Sequence, residues 1–385
     1  MIQNMKVDQI DFSREVDPAS VGMDRQAVRR VGEMFDDQFL RGLHSAGQMV
    51  VLRHGQVVLN RKNGLLRLGS YESVQDSTPF LTFSVTKPLT AVCMYQLIEM
   101  DLVALDDPIA KYWPEFGQKG KETATVRHAL THQAGIPARG LYPQIPRWWS
   151  WDSVVNSVAE LEVEYEPGSK TAYHALNYGF ILGEIIRRVT GKPIDQYMED
   201  HVFQPLKMRN SWLGLPRSQA KRAAELYSTS SDQNGAVMLF RSARHTVLPA
   251  ATLNSTAQDL AVFYQMMLNG GTMYGKRILE EETVNSMLEV QFAGHDHTFD
   301  QFVRWGGGLL LGGEKPAEYA DGPPAYGRKS NPTTFGHPGQ RSSTAWADSD
   351  KDVVLAYTVN TLVSDQESAE RWASLADAIW DAIQD

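Results

Sequence analysis

Segments with strand character stand at both ends of this chain and are nearly absent from its middle. Near the N-terminus, Met49–Leu52 and Val57–Asn60 flank His54-Gly55, the composition of a β-hairpin. From about Trp305 the pattern returns. Gly306 to Leu311, Ser343 to Ala347 and Val353 to Asn360 are separated by turn residues at Gly312-Gly313 and Asp348–Asp352. Such a chain completes one sheet only by bringing its two ends together. The expectation is an α/β domain built from residues 1–109 and 272–385, interrupted by a mainly helical insertion over 110–271. A chain of 385 residues is long enough for both, and a site would fall in the cleft between the lobes.

Helix signals fill the rest. Asp24 can cap a helix to about Leu43, with Val28, Val31 and Phe35 at helical spacing. Asp107-Pro108 pairs a capping residue with a first-position proline. Thr125 to His132, Asp152 to Leu161 and Leu176 to Thr190 follow, the last with Leu182, Ile185, Ile186 and Val189 on one stripe and Gly191 as its stop. Ser255-Thr256-Ala257-Gln258 reads as a capping box opening a helix to about Leu268. A final amphipathic helix carries Trp372, Leu375, Ile379 and Ile383.

Charge and composition remove several function classes. The 37 basic and 46 acidic residues leave a formal charge of −9, with no basic stripe, so nucleic acid and anionic membrane surfaces are not expected partners. The one cysteine, Cys93, excludes an intramolecular disulfide and lies in an apolar helix, as inert core cysteines do. No run of 18 apolar residues and no apolar signal core occur, so a cytoplasmic location is expected. His128 and His132 stand four apart but lack a third ligand, and His295-Asp296-His297 reads as a polar loop. No metal or other cofactor is expected.

The chemistry-bearing candidates begin with Ser-x-x-Lys, of which about one copy is expected by chance in a chain of this length. Two copies occur, Ser84-Val-Thr-Lys87 and Ser218-Gln-Ala-Lys221. Ser218 stands among Arg217, Lys221 and Arg222, a solvated face. Ser84 instead follows the apolar Leu81-Thr82-Phe83 and opens a stretch, Leu89 to Ile98, that is apolar nearly all round and must be buried. There a serine meets unpaired N–H groups and the positive helix end, and Lys87 lies one turn on, on the same face. A lysine removed from water loses its proton readily and can take the serine's. Taken alone, the same residues also suit a helix cap followed by a lysine reaching to solvent. A Gly-x-Ser-x-Gly elbow is absent from the chain.

The order of motifs separates these readings. Ser84-Val-Thr-Lys87-Pro88-Leu89-Thr90-Ala91 resembles the first box of the serine β-lactamase and penicillin-binding superfamily. Leu130-Thr131-His132-Gln133-Ala134-Gly135-Ile136-Pro137 is similar to a segment of its class C-like branch. Tyr173-His174-Ala175-Leu176-Asn177-Tyr178-Gly179 resembles the tyrosine box, and Phe335-Gly336-His337-Pro338-Gly339 the third box. The resemblance runs from about Leu81 to Asn360. It implies a two-lobed fold with an antiparallel sheet flanked by helices, acylation at Ser84, and Tyr173 acting with Lys87 as general base. It also implies an oxyanion hole from the backbone N–H groups of Ser84 and Gln340, with His337 and Gly339 on the third-box strand.

Substrate class follows from a departure. Penicillin-recognising members carry Tyr-x-Asn, whereas Ala175 fills the third position here and Asn177 lies two residues beyond. Tyrosine without asparagine, and histidine in place of the third-box lysine, is similar to the family VIII carboxylesterases. A small-molecule ester is therefore the expected substrate. A β-lactam or D-amino-acid peptide, acyl transfer to an alcohol, and a catalytically silent binding protein are the alternatives. Tyr142, Trp148, Trp149, Trp151 and Trp305 are candidates either for pocket walls or for packing. Nothing in the sequence addresses oligomeric state.

Overall fold

The computed structural model describes residues 7–137, 148–319 and 325–384. Helix α1 (Arg25–Leu40) starts at Asp24, whose carboxylate accepts the Ala27 N–H. Strands β1 (Ala46–Arg53) and β2 (Gln56–Gly64) form the hairpin. His54 and Gly55 turn it with φ of 50° and 66°, the left-handed pair that a two-residue turn between twisted strands requires. Helix α2 (Thr86–Glu99) follows, then α3 (Trp151–Ala159) and α4 (Asn177–Thr190), which ends on Gly191 at φ 73°. Next come α5 (Asn234–Ala243) and α6 (Ala257–Leu268). The C-terminal part supplies β3 (Phe292–Asp296), β4 (Gln301–Trp305), β5 (Leu310–Leu311), β6 (Thr334–Pro338), β7 (Thr344–Asp348), β8 (Val353–Val359) and α7 (Asp365–Ala382).

The two ends do share one sheet. Its eight strands run β2-β1-β8-β7-β6-β5-β4-β3, and every pairing is antiparallel. Met49, Val51, Leu355 and Tyr357 pack with Val28, Phe35, Leu375 and Ile379 of α1 and α7. Val50, Leu52, Val354 and Ala356 belong to the core on the opposite face, with Val92 of α2 and Phe263 of α6. With helices on both faces, β1 is buried at every position. This is why its sequence reads as an apolar run and not as an alternation. Helix α6, within the stretch expected to be the helical lobe, lies against β1, β7 and β8.

Helix α2 sits between sheet and helical lobe, in contact with α4, and is buried from Thr86 to Leu97. That is the consequence of its lack of a polar face. Three local expectations need correction. His295 and Asp296, expected in a polar loop, lie in strand β3, and β4 ends at Trp305, about where strand character was expected to begin; β3 is the sheet edge and half-exposed, so no apolar alternation marks it. Of the expected strand from Gly306 to Leu311, only Leu310–Leu311 pairs, because Gly306 to Gly308 turn. A side chain at Gly308 would meet the Tyr178 hydroxyl and Ala91. The cap of α6 is Thr256, not Ser255, which is drawn into a strand pair with Phe80. Among the described residues no helix is long and apolar enough to cross a membrane.

Candidate active site

Ser84 stands in the turn that enters α2. Phe83 before it adopts a left-handed conformation at φ 51° and packs its ring on Phe240, 5.0 Å between centroids. The N–H groups of Val85, Thr86 and Lys87 are taken by the carbonyls of Thr82, Phe83 and Ser84. That of Ser84 meets no acceptor among the described residues. Lys87, one turn on, is fully buried. Its Nζ lies 3.1 Å from Ser84 Oγ, 3.0 Å from the Ala175 carbonyl and 3.2 Å from the Ala250 carbonyl.

Three acceptors suit an ammonium. Two carbonyls and a hydroxyl also suit a neutral amine, which donates twice and offers a lone pair to the serine proton. Burial decides the direction, holding the lysine well below its usual pKa of 10.5. Tyr173 completes the arrangement: its hydroxyl donates to Ser84 Oγ at 2.8 Å, and its ring centroid lies 4.6 Å from Lys87 Nζ. Ser84 and Lys87, one turn apart, and Tyr173, 89 positions from the serine, therefore meet around one oxygen.

The third-box strand is β6. A side chain at Gly339 would collide with the Thr82 carbonyl, so glycine lets the strand end come against the turn that carries Ser84. Gln340 follows, and its N–H has no acceptor among the described residues. His337 is buried, and its Nδ1 donates to the Pro338 carbonyl at 2.7 Å. Burial first, then Lys87, push its pKa down to about 3 against the effect of that carbonyl, so the ring is uncharged. Arg341 is engaged by Asp232 at 2.6 Å and Asp365 at 2.5 Å.

The aromatic candidates divide. Trp305 stacks on Tyr173 at 6.0 Å and on His337 at 5.9 Å, behind the site. Trp148 is buried near Phe240, and Trp149 is half-exposed. Trp151 is structural, its Nε1 donating to the buried Glu184 at 2.7 Å and its ring on Phe180. Tyr142 lies outside the described residues. Ser218 is on a short 3₁₀ turn, Arg217–Arg222, with no buried residue. His128 closes the capping box of the helix Val126–Leu130, while His132 turns inward beneath Tyr173. Asn177 points away, its amide donating to the Pro137 carbonyl at 2.8 Å.

Several participants escaped the sequence reading. The Ala175 and Ala250 carbonyls could not be found, since any residue offers a carbonyl. Tyr178, whose hydroxyl donates to the Lys87 carbonyl at 3.2 Å, and His132 lie within the resembling segments. Phe299, half-exposed with its ring 4.7 Å from that of Tyr173, had no signal at all.

Comparison with known proteins matches the family model described as Beta-lactamase over residues 35–379. The chain belongs to the beta-lactamase family. Its relatives include the "Esterase/beta-lactamase LipL" of Mycobacterium tuberculosis, 29% identical over 88% of this chain and 81% of the relative. Among solved structures, a penicillin-binding protein homologue from Caulobacter crescentus superposes with a TM-score of 0.78 at 27% identity, covering 94% of this chain and 99% of that one. A family VIII carboxylesterase gives 0.77 at 27% identity, covering 92% and 98%. The beta-lactamase family fold, a serine hydrolase scaffold, is thus shared across nearly the whole chain.

Proposed function

We propose that this beta-lactamase family member is a serine carboxylesterase that works through an acyl-enzyme on Ser84. The observation that carries the reading is a single oxygen, Ser84 Oγ, held between Lys87 Nζ at 3.1 Å and Tyr173 Oη at 2.8 Å at the entrance of a buried helix. Ser84 attacks the ester carbonyl while its proton passes to the Lys87–Tyr173 pair. The developing oxyanion is received by the N–H groups of Ser84 and Gln340, an arrangement that lowers the barrier by about 3–4 kcal/mol per donor. The returned proton leaves with the alcohol, and water repeats the sequence on the acyl-enzyme.

Esters rank ahead of β-lactams on charge. A β-lactam or a D-amino-acid peptide presents a carboxylate, but His337 is uncharged and Arg341 is already paired with two aspartates. Ala175 and the diverted Asn177 leave no amide for an acylamino side chain. The esterase-named relatives support the same order, while the penicillin-binding homologue keeps the peptidase reading as second. A fluorophosphonate should phosphonylate Ser84 with loss of fluoride, adding the mass of the reagent less HF. Ser84→Ala should lose p-nitrophenyl ester turnover, and retained turnover would refute the assignment. Nitrocefin turned over faster than the ester would reverse the ranking.

A further inference from the structure

Tyr173 belongs to neither a helix nor a strand. It sits between the bridge at Thr171 and the start of α4 at Asn177, so regular hydrogen bonding cannot hold its phenol 2.8 Å from Ser84. The two N–H groups that bracket it both end on one residue. The Ala172 N–H donates to the His132 carbonyl at 3.0 Å, and the His174 N–H donates to His132 Nδ1 at 3.1 Å. The same imidazole lies under the tyrosine ring, 4.6 Å between centroids, with Trp305 at 4.6 Å and Tyr178 at 5.1 Å completing its surroundings.

We propose that His132 is a positioning residue for Tyr173, acting through its main-chain carbonyl and the lone pair of Nδ1. This inference rests on the reading of Tyr173 as catalytic. Two features of His132 fit the role. Its backbone is left-handed, φ 61°, a conformation sparsely used by side-chain-bearing residues and persistent where surrounding structure demands it. Here it brings the carbonyl and the ring of one residue to N–H groups two positions apart. The ring must also be neutral, because a protonated Nδ1 is a donor and would face the His174 N–H with no lone pair. Burial, with His174, Lys87 and His337 adding to it, keeps the ring well below its usual pKa of 6.5.

A merely structural histidine and a positioning one are told apart by geometry-matched substitutions in the full chain. Asparagine places its Oδ1 as many bonds from the backbone as Nδ1 and tolerates left-handed φ. Glutamine places its oxygen one bond further, and leucine has none. His132→Asn should retain kcat within about fivefold. His132→Gln and His132→Leu should lose about fifty-fold or more in kcat with KM within about threefold, since a misplacement of about 1 Å can cost on the order of 10²-fold. Amide hydrogen exchange at residues 172–174 should rise in the glutamine and leucine variants only. Glutamine performing as well as asparagine, or losses that follow melting temperature while kcat per folded molecule is unchanged, overturns the proposal. Tyr173→Phe separates the two claims. Full activity in that variant removes the catalytic reading of Tyr173, whereas the exchange result still decides whether His132 holds the segment.

Discussion

Lys87 is the residue whose chemistry depends most on where the fold puts it. In water its amine would be charged at neutral pH; enclosed by Ser84, two carbonyls and the faces of Tyr173 and Tyr178, it has no carboxylate among its hydrogen-bonding partners. Burial therefore shifts the equilibrium toward the uncharged amine. Activity on a neutral ester should consequently rise with pH along an acid limb placed below the ordinary lysine value, as Lys87 gives up its proton. Lys87→Arg, permanently charged, should remove that limb and lower kcat/KM by on the order of 10²–10⁴-fold. A limb that survives in the arginine variant belongs to another group. The serine and lysine of this pair were legible as a motif. The carbonyls of Ala175 and Ala250 were not, because main-chain acceptors leave no trace in residue type.

At the scale of elements, the expected α1, α2, α4 and β8 appear close to their predicted limits, since each carries a stripe, a run or a cap, while β1 starts at Ala46, before the expected Met49, and α7 ends at Ala382, just short of Ile383. The failures were short or at an edge. β3 pairs at the edge with His295 and Asp296 in it, and the Gly306–Gly308 turn replaced most of an expected strand. The start of α6 illustrates a choice that local chemistry leaves open. Ser255 and Thr256 can both cap, and pairing of Ser255 with Phe80 selects Thr256. Asp259 in the first turn of α6 is then buried, accepting from the Asn210 N–H and the Ser211 hydroxyl, and burial pushes its pKa up to about 6. A carboxyl raised in the folded state contributes stability that is present below its unfolded value of 3.8 and lost as pH rises through about 6. Asp259→Asn keeps an acceptor without the charge. It should stabilise the protein by about 2 kcal/mol at pH 8 and by little at pH 4, measured by urea unfolding at the two pH values. Equal effects at both would locate the cost elsewhere.

Across the whole molecule, neutral buried histidines dominate the response to acid. His44 and His337 are pushed down to about 3 and His174 to about 4, in each case chiefly by burial, and His132 is also lowered. The unfolded chain binds protons at these sites near pH 6.5 while the folded chain does not. Stability is therefore lost as pH falls from about 6.5 toward the folded values. Asp259 works in the opposite direction over part of this range, but one carboxyl is outweighed by several imidazoles. The net loss between pH 6.5 and 5 should reach several kcal/mol, about 2 kcal/mol per histidine as an upper figure. The melting temperature should fall steeply over that interval, and a flat profile would mean that these rings take up protons in the fold.

The sequence by itself determined the division into strand-bearing ends and a helical middle, the burial of α2, and the order of the three boxes and the Leu130–Pro137 segment. These are properties of periodicity and residue type, which act locally. Tertiary structure alone decided that Tyr173 reaches Ser84 across 89 positions, that Lys87 is enclosed, and that His132 grips the peptides on both sides of the tyrosine. Each of those depends on main-chain groups and on exclusion of water by distant segments, quantities that no single stretch of residues carries.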